Sequence, residues 1–351
     1  MSTTTLRRPP ARGRGRLRCL GALTAGALAL TLAACGSDDD SSDQPTTAGE
    51  GTAASAFPVT ITHRLGEVTI EEQPERVIAL GINDMDTVVG LGITPVGIAR
   101  VSYSEDGIPP WLAGDIDPSR TELLQVSGGP NLDQIAELRP DVILANPLPS
   151  IDDYYDGLNG VAPTVVDSKG VLTDTWQERT LATGKALGRE ADAQALVDET
   201  EGAIAEARQA YAGLQGRTYT LAWANAPGTV AVMASDDITA KFFADLGLSR
   251  TQQISELPTK TGSAAGAGGA AVSYEQLDLL DADLLVVAFS TPDLKSALES
   301  NSLFRSIPAV AEGRYLAVDM ATMAALRVPS LKNIPWLLDQ LEPLFTKVAG
   351  S

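Results

Sequence analysis

The stretch PNLDQIAELRPDVILA, residues 130–145, has a close echo at VSYEQLDLLDADLLVV, residues 272–287. Asn131 and Ser273 are both good helix N-caps, and Gln134 and Gln276 stand three residues on, an N-x-x-Q and an S-x-x-Q capping pattern. Asp133 and Glu275 fall between them, in the first turn. A carboxylate there faces the positive end of the helix dipole and gains typically ~0.3–1 kcal/mol. Asp141 and Asp283 also correspond, each ahead of a continuous apolar run. Such runs mark strands buried on both faces. A chain that builds this corner twice is predicted to fold as two similar α/β halves.

The rest of the body supports that reading. VTITHRLGEVTIEEQP (59–74) alternates apolar and polar residues around Leu65-Gly66, a hairpin signal. RVIAL (76–80), PVGI (95–98), DVILA (141–145) and TVV (164–166) are predicted strands, with short helices between them. Strands alternating with helices argue for a parallel sheet in a three-layer lobe. From Thr173 to Gly213 apolar residues recur at helical spacing without proline, which predicts one long helix. Gly184, Gly188 and Gly202 weaken that helix by ~1 kcal/mol each against alanine, so a kink or break is possible. Alternation then restarts with TYTLAWA (218–224), TVAVMA (229–234), ADLLVVAF (282–289) and RYLAVD (314–319). SLKNIPWLLDQLEPLFTKV closes the chain as a helix despite Pro335 and Pro343.

The first 34 residues are a different polymer. They carry six Arg, then an apolar, small-residue stretch. That is the layout of a secretory signal, too short in its apolar part for the ~20 residues of a membrane span. Arg7-Arg8 hints at twin-arginine export, and Pro9-Pro10 departs from that pattern. The site Leu32-Ala33-Ala34-Cys35 resembles a bacterial lipoprotein signal, in which Cys35 becomes the acylated first residue; an ordinary signal with an incidental Cys is the alternative. Residues 36–56 are Ser, Asp, Gly, Thr and Ala with almost nothing apolar, a composition that cannot form a core. Cleavage before Cys35 leaves 20 basic and 45 acidic residues, a charge near -25. No nucleic-acid partner is expected of such a chain.

The stretches PERVIALGINDMDTVVGLGITPVGIA, PNLDQIAELRPDVILANP, APTVV, VSYEQLDLLDADLLVV, EGRYLAVD and ALRVPSLKNIPWLLDQL together resemble the substrate-binding lipoproteins of iron-chelate ABC importers. That family also includes cobalamin and haem binders. The resemblance spans residues 57–348 and implies two three-layer α/β lobes joined by a single long helix, the class III periplasmic-binding-protein arrangement, with ligand in the cleft. It gives five segments: signal 1–34, tether 35–56, N-terminal lobe 57–172, bridging helix 173–213 and C-terminal lobe 214–351. It implies a monomer on the outer face of the cytoplasmic membrane, carrying a ferric siderophore to an ABC permease. It further implies that Asp133 and Glu275, one per lobe, dock against permease arginines. The N-lobe residue of the family is more commonly Glu, so Asp133 is a departure.

A ferric siderophore brings its own oxygen ligands, so no cofactor and no protein metal site is expected; iron enters only inside the chelate. The lone histidine, His63, reads as a surface residue of the first hairpin. In open α/β sheets ligands gather at the carboxyl ends of strands. The loops there offer Arg100, Tyr103, Trp111 and Tyr154 in the first lobe, and Trp223 and Arg327 in the second, with Met233 near the end of its strand. Arginine donates paired hydrogen bonds to anionic oxygens, and Tyr and Trp supply apolar faces with a polar handle. Arg327 also suits an ion pair within its lobe, and Trp223 also suits the core. An enzyme is disfavoured: no G-x-S-x-G occurs, and GSAAGAGGAA (262–271) lacks the Lys-Ser/Thr of a phosphate loop. A haem or cobalamin binder of the same fold, or an anchored interaction protein without a transport role, are the alternatives.

Overall fold

The computed structural model describes residues 57–170, 173–259 and 269–351. The signal segment, Cys35, the tether and most of the Gly-rich loop 262–271 lie outside the described residues.

The chain begins with the expected hairpin, β1 (Val59–His63) against β2 (Gly66–Ile70). Its inward face is Ile61, His63, Val68 and Ile70. His63 is therefore buried, not exposed; its Nε2 meets the Tyr155 hydroxyl at 3.2 Å and its Nδ1 accepts from the Leu65 amide at 3.2 Å. The alternation that predicts the hairpin puts His63 on the same face as Ile61, and that face is covered.

Five parallel strands follow: β3 (Val77–Ala79), β4 (Gly97–Ala99), β5 (Glu122–Leu124), β6 (Val142–Leu144) and β7 (Thr164–Val165). Their order is β5-β4-β3-β6-β7, so the chain winds outward from β3 in one direction and then in the other. Ile78, Ile98 and Ile143 are fully buried, each worth about 1.5–3 kcal/mol. Helices α1 (Ile82–Gly90), α2 (Leu132–Glu137) and α3 (Tyr155–Val161) connect the strands.

The segment read as one long helix is divided in two. Helix α4 (Trp176–Ala186) starts with a reciprocal cap between Thr175 and Glu178, and α5 (Glu190–Ala210) follows after a break. The glycines cause the division. Gly188 turns the chain at φ +65°, and a Cβ there would come within 2.6 Å of Phe57. A Cβ on Gly184 would collide with Ala193, so the helices pack face to face at their junction.

The second lobe holds β8 (Thr218–Ala226), β9 (Thr229–Met233), β10 (Ser249–Arg250), β11 (Gly269–Ser273), β12 (Leu284–Phe289) and β13 (Tyr315–Val318). The order is β11-β9-β8-β12-β13, with β10 beside β8. Strands β8, β12 and β13 run parallel, while β9 runs antiparallel between β8 and β11, so this sheet is mixed. Around it lie α6 (Ile238–Asp245), α7 (Gln252–Ser255), α8 (Pro292–Ser300), α9 (Ser302–Ser306), α10 (Pro308–Ala311), α11 (Met320–Arg327) and α12 (Asn333–Ala349). Pro335 sits in the first turn of α12, where its missing N–H is no loss; Pro343 lies inside the helix.

The repeated corner has a structural cause. Asp141, before β6, accepts the Glu75 and Arg76 amides that lead into β3, at 2.7 and 2.8 Å. Asp283, before β12, accepts the Thr218 amide that opens β8, at 2.8 Å. Each aspartate thus pins the start of a neighbouring parallel strand, in both lobes. The helices differ. Asn131 caps α2 through the Asp133 and Gln134 amides, whereas residues 274–280 form a kinked 3-10 turn that Ser273 does not cap.

A buried seam joins the lobes. Asp86 of α1 accepts from the Ser330 hydroxyl and from the amides of Lys332 (3.3 Å) and Asn333 (3.1 Å), at the start of α12. Its other oxygen accepts from Trp111 Nε1 at 2.9 Å. Trp111 leans on Trp336 of α12, with ring centroids 5.3 Å apart, and Lys332 Nζ meets Asp115 at 2.5 Å.

Candidate ligand-binding site

At the carboxyl ends of β4, β5 and β6 the connecting loops enclose a cavity of about 720 Å³. This lies within the roughly 300–1,000 Å³ typical of small-ligand sites. Three of the expected residues meet in it: Arg100 directly after β4, Tyr103 three residues later, and Tyr154 after β6. Ser102, Gln125, Ser127 and Ser150 add neutral polar groups, and Val126, Leu148 and Pro149 add apolar wall.

Arg100 is exposed and donates to the carbonyls of Asp106 (3.4 Å) and Glu105 (3.2 Å). Its side chain lies over Gly107, where a Cβ would come within 2.7 Å of it and φ is +81°. Glycine at 107 therefore sets the position of the guanidinium. Tyr154 is held the same way: its ring fills the space a side chain at Gly129 would need, and its hydroxyl donates weakly to Gly128 O at 3.4 Å.

Tyr103 stacks on Trp111, with ring centroids 6.2 Å apart and planes 24° from parallel. Its hydroxyl is shielded from water and hydrogen-bonds to nothing among the described residues. An unmet buried donor of this kind costs roughly 1–3 kcal/mol. Burial, with a smaller contribution from the charge of Asp86, raises the phenol well above its ordinary pKa. Tyr103 is therefore a protonated donor at neutral pH, not a phenolate.

Trp111 does not line the cavity. It stands behind Tyr103 and passes the contact on to Asp86 and the seam. Trp223, within the carboxyl half of β8, is half-buried and donates to Ser290 Oγ at 2.9 Å. Arg327 pairs with Asp237 at 2.7 Å and also donates to Thr239 Oγ1 at 3.0 Å. Neither Trp223 nor Arg327 lines the cavity. Met233 is buried in the core of the second lobe, and Trp176 is buried in the same core.

Asp84 and Asp86, both on α1 and both fully buried, carry no sequence signal that the expectations used. Asp84 accepts the Asn146 amide at 2.5 Å and the Thr183 hydroxyl at 2.8 Å. Burial pushes Asp84 up to about 7 and Asp86 up to about 6, against hydrogen bonds that act in the opposite direction. A polar N-D-x-D at the start of a helix that directly follows a buried strand is the pattern that marks them.

Asp133 and Glu275 are exposed, and neither pairs with a basic side chain among the described residues. Leu132 beside Asp133 is 36% exposed, and Leu303, which shares a surface hollow with Glu275, is 51% exposed. No cluster of three or more metal-ligating side chains occurs among the described residues, and no described helix is long and apolar enough to cross a membrane.

Comparison with known proteins gives concordant results. The family described as periplasmic binding protein matches residues 89–320. The putative ABC transporter substrate-binding lipoprotein YhfQ of Bacillus subtilis (strain 168) is 28% identical over 296 residues, 81% of this chain and 87% of YhfQ. The probable siderophore-binding lipoprotein YfiY of the same organism is 24% identical over 326 residues, covering 91% of this chain and 95% of YfiY. Among solved structures, a periplasmic solute binding protein from Mycobacterium smegmatis str. MC2 155 shares the fold, with a TM-score of 0.70 at 22% identity over 83% of this chain and 99% of the other.

Proposed function

The chain belongs to the periplasmic binding protein family, and from that footing we propose that it captures a ferric siderophore and delivers it to an ABC permease. The relatives named as substrate-binding and siderophore-binding lipoproteins support this reading. The observation that carries it is the cavity at the carboxyl edge of β4, β5 and β6, where Arg100, Tyr103 and Tyr154 converge without a metal-binding cluster. Arg100 supplies charge-assisted donors for chelate oxygens. Tyr103 supplies a neutral aromatic wall, its hydroxyl shielded from water. Trp111 fixes Tyr103 from behind, while Trp223 and Arg327, bonded to Ser290 and Asp237 within their own lobe, stand outside the cavity. A ligand of this type holds its own iron, and the protein contributes no coordinating atom. The shielding of the Tyr103 hydroxyl disfavours that residue as an axial haem ligand.

In this reading Cys35 carries the lipid anchor, residues 36–56 are the tether, and the folded body works outside the cytoplasmic membrane as a monomer without a cofactor. Asp133 and Glu275 are the feet on the permease. Their exposure, their freedom from basic partners among the described residues, and the exposed Leu132 and Leu303 beside them support a docking surface on each lobe. Radiolabelled acyl chains should appear on the wild-type protein and vanish in Cys35→Ala.

Ligand capture is tested by quenching of tryptophan fluorescence across ferric hydroxamates, catecholates, citrate, haem and cobalamin. Saturable binding of at least one ferric siderophore is expected. Binding of haem or cobalamin alone would replace the siderophore reading, and binding of none would remove the transport reading.

A further inference from the structure

We propose that the cavity selects a ferric chelate of low net charge, neutral or singly negative, over a trianionic tris-catecholate. This rests on the proposed ferric-siderophore function and narrows it to a ligand class.

The argument is a count of local charge. Among the described residues lining the cavity, Arg100 is the one that carries a full charge; the other polar groups are hydroxyls and an amide. Even that charge is shared. The Arg100 guanidinium is turned toward its own loop, on the carbonyls of Glu105 and Asp106; the Asp106 carboxyl beside it is held below its ordinary pKa by the Ser104 hydrogen bond, then by the Ile108 amide, and least by the Arg100 charge.

Two cations outside the cavity, Arg327 and Lys332, are already matched. Arg327, the arginine of the opposite lobe that most suits an anionic ligand, is spent on Asp237 at 2.7 Å in a largely buried ion pair. Lys332 at the seam is spent on Asp115. Distant charge is screened over a Debye length of about 8 Å at physiological salt, so these local groups decide the field.

A trianionic ligand entering here would leave most of its charge stripped of water and unpaired, which is costly. A neutral chelate needs only hydrogen bonds to its oxygen rim and contact for its organic shell. The cavity provides both, through hydroxyls and tyrosine rings.

The test uses two defined probes on the purified full-length protein: ferrichrome, a neutral ferric trishydroxamate, and ferric enterobactin, a trianionic tris-catecholate. Tryptophan quenching gives a Kd for each. Ferrichrome should bind tighter by at least about tenfold, the scale of a single unmet charge contact. Gln125→Lys adds a cation at an exposed position of the cavity wall and should shift the ratio toward the tris-catecholate by several-fold. Equal or tighter binding of ferric enterobactin by wild type, or no shift in the variant, overturns the inference and leaves the transport reading standing. Failure of both probes together with every other ferric chelate overturns the transport reading itself, and the inference with it.

Discussion

Replacing Asp86 with alanine tests whether one buried carboxylate fastens the two lobes. The substitution orphans four donors: Trp111 Nε1, the Ser330 hydroxyl, and the amides of Lys332 and Asn333. An unmet buried donor costs roughly 1–3 kcal/mol, and water entering the vacated space keeps each near the lower end, for a sum of ~4–8 kcal/mol. Against this, burial pushes Asp86 up to about 6 from an ordinary 3.8. Keeping it ionised at neutral pH therefore costs about 3 kcal/mol, which alanine returns. The net loss is ~1–5 kcal/mol, centred near 3, or about 6 °C in Tm for a body of this size. The sign of the pH dependence is more specific. A carboxyl whose folded pKa is raised holds a proton that the unfolded chain releases, between about pH 4 and 6. Its contribution is fully present below the unfolded pKa and is lost as pH rises through about 6. Alanine has no such proton, so the deficit should grow between about pH 7.5 and pH 5. Urea and thermal melts of wild type and variant at both pH values measure it. A deficit that shrinks on acidification, or stays below about 1 kcal/mol at the lower pH, would refute the reasoning.

Further outcomes follow from the same geometry. Arg100→Ala should weaken ferric-chelate binding at least about tenfold by tryptophan quenching while leaving the melting temperature near wild type, because the side chain is exposed. The double variant Asp133→Ala, Glu275→Ala should abolish radio-iron uptake with chelate affinity unchanged; surviving uptake would remove the docking role. Gly188→Ala should cost about 1–2 kcal/mol, from left-handed backbone and the clash with Phe57, read as a lower urea midpoint. X-ray scattering with and without ligand should show only modest compaction, since Asp86, Trp111 and Lys332 hold the lobes together across the seam; a large compaction would contradict that.

The strands were legible where they were long and apolar. RVIAL, DVILA and ADLLVVAF read as buried strands because their apolar residues form continuous covered runs, and those runs are strands. Strand β5 was not legible: Glu122–Leu124 is three residues with one exposed charge, and only its pairing with β4 makes it a strand. The reversed course of β9 between β8 and β11 was equally hidden, because direction within a sheet is a property of the fold and not of apolar runs. The division of the bridging segment was half legible. Gly184 and Gly188 announced weakness, but the contact of Gly184 with Ala193 that fixes the break is tertiary.

The site divides the same way. Arg100, Tyr103 and Tyr154 follow strand ends, and the rule for open sheets brings them together. Arg327 follows a strand and helix in the other lobe, and its partner Asp237 lies far from it in sequence, so spacing alone left the ion pair open. His63 and Asp86 show the opposite limit. Their polarity suggests solvent, and only the packing of a hairpin or a second lobe over them reveals burial.

The central claim is that the first lobe's cavity holds a ferric chelate without giving the iron a protein ligand. Anomalous diffraction at the iron edge, on crystals grown with a bound ferric siderophore, tests it directly. The account predicts one iron peak inside the cavity bounded by Arg100, Tyr103 and Tyr154, coordinated by chelate oxygens alone. An iron peak outside that cavity, or one coordinated by a side chain of this protein, would contradict it.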